Sequence, residues 1–169
     1  MAITITRDGY GQVEPNHLSA PRDGRVYAQL PANEDITVLE NGMFVKYDYA
    51  AGEVNFDGDG PWMLVYNEEK LYDERHQMHK DWAQKTADSY DGKIYPRVFG
   101  IVAGDIFTTN TFENNTQLAV GTDVTPGDDG FLAEVDDQAE EEPTLVFRVV
   151  KEYTLPDGQP AVKLQCIKA

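Results

Sequence analysis

Residues 95–112 read YPRVFGIVAGDIFTTNTF, and the rest of the chain is organised around them. Val98, Phe99, Ile101 and Val102 are β-branched or aromatic. Gly104 and Asp105 interrupt the run, and Ile106, Phe107, Thr108 and Thr109 resume it. The pattern predicts two strands bent about a Gly-Asp corner. The run is apolar with little alternation, so the two are expected to form a core strand pair with both faces partly covered.

Toward the C-terminus the same chemistry repeats. Leu118-Ala119-Val120 and Asp123-Val124-Thr125 read as short strands about Gly121. Pro126 to Gly130 is a turn, and Phe131-Leu132-Ala133 returns from it. Residues 144–153 form a strand, Pro156-Asp157-Gly158 is turn chemistry, and residues 161–167 alternate cleanly on the way back. Val162, Leu164 and Cys166 share one face of that last strand. Between Arg97 and Arg148 there is no Lys or Arg, and eleven Asp and Glu fall in the interval. Its densest part, 134–143, is read as an acidic solvated loop.

Toward the N-terminus the hydrophobic residues come in shorter runs. Ala2 to Thr6 alternate as a short strand, and Val26 to Leu30 form another, stopped by Pro31. Ile36 to Leu39 and Phe44 to Tyr47 flank Asn41-Gly42, which predicts a β-hairpin closed by a type I′ turn. Glu53 to Phe56 lead into Asp57-Gly58-Asp59-Gly60-Pro61, a plain tight turn without the further oxygen ligands of a calcium loop. Trp62 to Tyr66 read as a core strand. Residues 67–88 lack Gly and Pro, and Leu71, Met78 and Trp82 are spaced seven and four apart, so one short helical excursion is expected there. His76 and His79 lie one turn apart on it and are read as part of a charged, solvated face, not as a metal pair.

Residues 1–25 are read as an irregular N-terminal arm, and 26–169 as a single β domain. The arm is too apolar for a flexible linker and too broken for one regular element. Tyr10, Val13, Pro15, Asn16, His17, Leu18, Arg22 and Arg25 are its candidate partner-binding residues. Either the arm docks on another chain or it wraps its own body. The fold class expected overall is mainly β, a small barrel or sandwich of antiparallel strands.

Composition narrows the function classes. The formal net charge of −16 disfavours binding to a phosphate backbone or an anionic membrane surface. The single Cys166 cannot form an internal disulfide and reads as a buried apolar residue. The N-terminus shows no secretory signal pattern. The motifs of phosphate loops, serine hydrolases, redox dithiols and zinc proteases are all missing. The expectation is therefore a protein that is not an enzyme and has no cofactor, metal, nucleic acid or membrane as partner.

Four segments, GQVEPNHLSAPRDGRVYAQLP, LENGMFVKYDYAAGEV, GPWMLVYNEEKLYDER and YPRVFGIVAGDIFTTNTF, together resemble small head decoration or cement proteins of tailed bacteriophages. The likeness covers about the first two-thirds of the chain and rests on overall texture. It implies a virion structural protein on the capsid exterior, made in the host cytoplasm, with the major capsid protein as partner and room for a homo-oligomer. The acidic last third lies outside the likeness. The alternative reading is a phage appendage or adhesion module for a host-surface glycan or protein, with Trp62, Trp82 and the tyrosines as a sugar platform.

Overall fold

A computed structural model of the chain describes residues 2–67, 82–136, 138–139 and 141–169. The protein is mainly β, and every ladder among the described residues is antiparallel. In chain order the elements are β1 (Ala2–Ile5), β2 (Val13–His17), α1 (Ala20–Asp23), β3 (Val26–Tyr27), β4 (Val38–Glu40), β5 (Phe44–Asp48), β6 (Glu53–Asn55), β7 (Trp62–Val65) and β8 (Ala83–Lys85). There follow β9 (Val98–Gly100), β10 (Ile106–Thr109), β11 (Thr116–Ala119), β12 (Asp123–Pro126), β13 (Leu132–Glu134), β14 (Val146–Thr154) and β15 (Pro160–Lys168).

Two open sheets face each other, a sandwich and not a closed barrel. One runs β13-β12-β14-β15-β10-β2 and the other β3-β9-β7-β5-β6. Phe44 of the second sheet meets Phe107 and Phe147 of the first, with ring centroids 6.2 and 5.4 Å away. Phe107 and Phe147 are themselves edge-on at 5.2 Å. All three are fully buried, so this aromatic trio is the rivet between the layers.

The five-stranded sheet is covered on both faces. Phe44, Leu64 and Phe99 point into the inter-sheet core, while their chain neighbours Val45, Met63, Val65 and Val98 point the other way. There they pack with Ala32, Ile36, Leu39, Val54 and Ile94 into a second core. The continuous apolar run of β7 follows from this two-sided burial.

The 95–112 stretch bends about Gly104-Asp105 as its sequence predicts, but its two strands are not a pair. β9 lies in the five-stranded sheet and β10 in the six-stranded one, so the corner carries the chain across the sandwich. The expected hairpin at Asn41-Gly42 is also corrected. β4 pairs with β8, and β5 pairs with β6 and β7. Only Gly42 of the turn has positive φ, at +91°, whereas a type I′ turn needs two such residues. The bond from Met43 N–H to the Glu40 carbonyl then matches the φ pattern of a type II turn, which hands the chain from the two-stranded β4–β8 sheet to the five-stranded one.

The C-terminal hairpin β14–β15 forms as expected, closed by backbone bonds from Leu155 N–H to the Gln159 carbonyl and from Gly158 N–H to the Leu155 carbonyl. Residues 83–88 form no α-helix: β8 is extended and Thr86–Asp88 make a single 3-10 turn. The rest of the expected helix, with His76 and His79, falls in 68–81, outside the described residues. Glu134 closes β13, and the described residues between Val135 and Pro143 form neither helix nor strand.

Candidate partner-binding surface

The segment 1–25 is built into the body and does not project from it. β1 pairs with β11, and β2 is the outermost strand of the six-stranded sheet, hydrogen-bonded to β10. Ile5 and Ala20 are fully buried in the inter-sheet core. Of the two readings of the arm, wrapping its own body is the one observed.

Polar contacts between residues far apart in sequence fix it there. Ser19 donates from its backbone N–H at 2.9 Å and its hydroxyl at 2.7 Å to the same oxygen of Asp105. The other carboxylate oxygen accepts from Val102 N–H at 3.1 Å. Asp105 is 1% exposed, and three donors satisfy its charge at the corner of the 95–112 stretch. Gln12 donates from its backbone to Asn110 at 2.8 Å and from its amide to Asp157 at 2.8 Å. Its backbone carbonyl accepts from the Thr109 hydroxyl at 2.8 Å. Arg7 pairs with Glu40, which also accepts from Gly11 N–H at 2.6 Å. The Arg7 guanidinium stacks over Phe131 at 4.8 Å.

These anchors sort the eight residues proposed from sequence into two groups. Val13 and Leu18 are half-buried against the inter-sheet core, and Tyr10 is half-buried with Lys85 over its ring at 4.7 Å. Arg25 is half-buried, donates to Ser19 Oγ at 3.1 Å, and accepts from Gly100 N–H at 2.9 Å through its carbonyl. These four serve the protein's own packing.

Pro15, Asn16, His17 and Arg22 are exposed. The first three form a contiguous rim on the free edge of the six-stranded sheet. Asn16 is held by the Thr108 hydroxyl at 2.7 Å. Glu14 beside them interacts with Tyr153, and its charge and hydrogen bond raise that phenol's pKa. Arg22 pairs with Asp23 at 2.7 Å; the hydrogen bond raises the guanidinium's pKa and lowers the carboxyl's. Pro15 has no N–H to offer an incoming strand, so this edge suits side-chain contact better than strand addition.

The seat of the arm was missed from sequence. Its one visible signal was the polar run Thr108-Thr109-Asn110-Thr111 inside an apolar stretch; all four are fully buried. Among the described residues no group of three or more His, Cys, Asp or Glu side chains is placed to hold a metal ion. No helix among them is long and apolar enough to cross a membrane. Comparison with protein-family models, curated proteins and solved structures gave no match.

Proposed function

We propose that this chain is a non-enzymatic virion structural protein that binds the major capsid protein lattice and decorates or stabilises a phage head. The observation that carries the reading is the pinned edge of the six-stranded sheet. Within the segment that resembles the decoration proteins, Val13 and Leu18 anchor inward while Pro15, Asn16 and His17 stand outward as a rigid rim. A rim held by its own core loses little conformational freedom on docking. Trp62 and Tyr66 pack against the inter-sheet core, which argues against a sugar platform built on them.

The test is cosedimentation of the purified chain with empty heads. The wild type is expected to pellet with heads. The double variant H17D/R22E is expected to stay in the supernatant with its melting temperature unchanged. Full binding by that variant would remove His17 and Arg22 from the interface, and a wild type that never pellets would end the lattice reading.

The adhesion reading retains one specific support. Trp82 and Tyr95 line a surface groove of about 260 Å³ together with Gln84, Asp88 and Ser89, an aromatic and polar mix suited to a sugar ring. Quenching of tryptophan emission by a host-surface glycan, lost in W82F, would favour it.

A further inference from the structure

The open mouth of the sandwich holds a groove of about 360 Å³. Its floor is a cross-strand pair. Lys46 of β5 lies directly opposite Trp62 of β7, and its ammonium sits 4.8 Å above the indole. Thr125 and Pro126 of β12 form the facing wall, contributed by the other sheet. The rim carries Asp128, Glu134, Asp136, Glu141 and Glu142, of which Glu142 is engaged by Lys168 at 3.1 Å. Lys46 is the one cation among the described residues lining the groove.

We infer that this groove binds a lysine- or arginine-rich segment of a partner protein, one cationic side chain displacing Lys46 from the face of Trp62. Tryptophan is the strongest aromatic partner for a cation, and here the groove already holds an ammonium on that face. Lys46 belongs to the chain itself and occupies the position the guest would take. The carboxylates around it outnumber the resident charge, so the groove is complementary to a cationic chain and repels an acidic one. Its volume admits side chains and not a folded domain, which makes an extended segment the fitting occupant. The inference stands apart from the lattice reading, since any protein with such a segment would serve.

A short Lys/Arg-Ser peptide, with a Gln-Ser peptide of equal length as control, tests it at physiological ionic strength. The chain's overall negative charge attracts any polycation, so site specificity has to be separated from bulk attraction. The cationic peptide is expected to shift the Trp62 indole N–H resonance, assigned by its disappearance in W62F. The groove variant E134Q/D136N/E141Q should weaken binding about tenfold or more, while neutralising Glu34, Asp35 and Asp88 elsewhere should weaken it less than about threefold. K46Q should tighten binding more than K151Q, a change of equal charge on an exposed strand position. Equal loss in the groove and control variants, binding that leaves Trp62 unshifted, K46Q and K151Q behaving alike, or no binding of the cationic peptide would each overturn the inference.

Discussion

Ser19 and Asp105, 86 positions apart, share two hydrogen bonds to a single carboxylate oxygen in a site closed to solvent. The contact ties the end of the N-terminal segment to the corner where the chain crosses between sheets. Asp105→Ala leaves three donors facing a void, and buried donors without partners cost more than the bonds themselves contributed. A loss of about 3 kcal/mol is expected for D105A and about 1–2 for S19A, with the double variant well short of the sum. Urea unfolding of the four proteins checks it; strict additivity would mean the pair is not coupled.

Removing residues 1–25 is expected to destabilise the protein by several kcal/mol or to abolish soluble expression. The deletion strips β2 from its sheet and takes fully buried Ile5 and Ala20 out of the core. Each large buried aliphatic side chain contributes on the order of 1.5–3 kcal/mol. It also removes the bonds that Ser19 gives Asp105, that Gln12 gives Asn110, and that Arg7 and Gly11 give Glu40. A truncated chain with an unchanged melting temperature would show that the segment is only loosely attached.

The strands were legible because β-branched and aromatic runs need only local reading, and the hairpin β14–β15 because its turn and both strands are adjacent in sequence. The Asn41-Gly42 turn was legible as a turn, but its type was not. Asn-Gly suits both a type I′ and a type II turn, and the choice depends on the partner of β4. That partner, β8, lies more than forty residues on. The arm stayed ambiguous for a related reason. Its apolar residues are too sparse to make a core of their own, and part of its hold on the body is polar: Gln12 to Asn110 spans 98 positions and Ser19 to Asp105 spans 86. Periodicity carries no trace of such pairs. The exposed rim of Pro15, Asn16 and His17 could be picked out as candidates, but which neighbours pointed inward depended on the same long-range contacts.

Gly42→Ala is expected to cost about 2–4 kcal/mol, more than a positive φ alone explains. A Cβ there would stand 2.1 Å from the Thr111 hydroxyl and 2.7 Å from that of Thr109. Both hydroxyls are engaged, Thr111 with the Asn41 carbonyl and Thr109 with the Gln12 carbonyl, so neither can move aside cheaply. The left-handed backbone adds about 1 kcal/mol. Gly52→Ala is the control, with φ of +70° and open space around the added carbon. Equal losses at the two sites in thermal unfolding would show that the threonine contact is not the cause.

Cys166 gives a prediction with a definite direction in pH. Burial pushes its thiol up to about 11 from an ordinary value of 9.0, outweighing a backbone hydrogen bond at Lys168. A thiol raised in the folded state is more easily ionised once the chain unfolds. Its contribution is therefore fully present below pH 9, and it is lost as pH rises from about 9 through 11. Cys166→Ala should flatten that part of the stability profile while lowering stability at neutral pH, since the sulfur fills space beside the core. Kinetics supply a second readout. At pH 8 the native thiolate fraction should be about 100-fold below that of an unfolded chain, so a disulfide reagent should react about that much more slowly, or only through opening. A native protein labelled at the unfolded rate would show that Cys166 is open to solvent. An alkaline stability curve identical in wild type and C166A would show that its ionisation is not linked to folding.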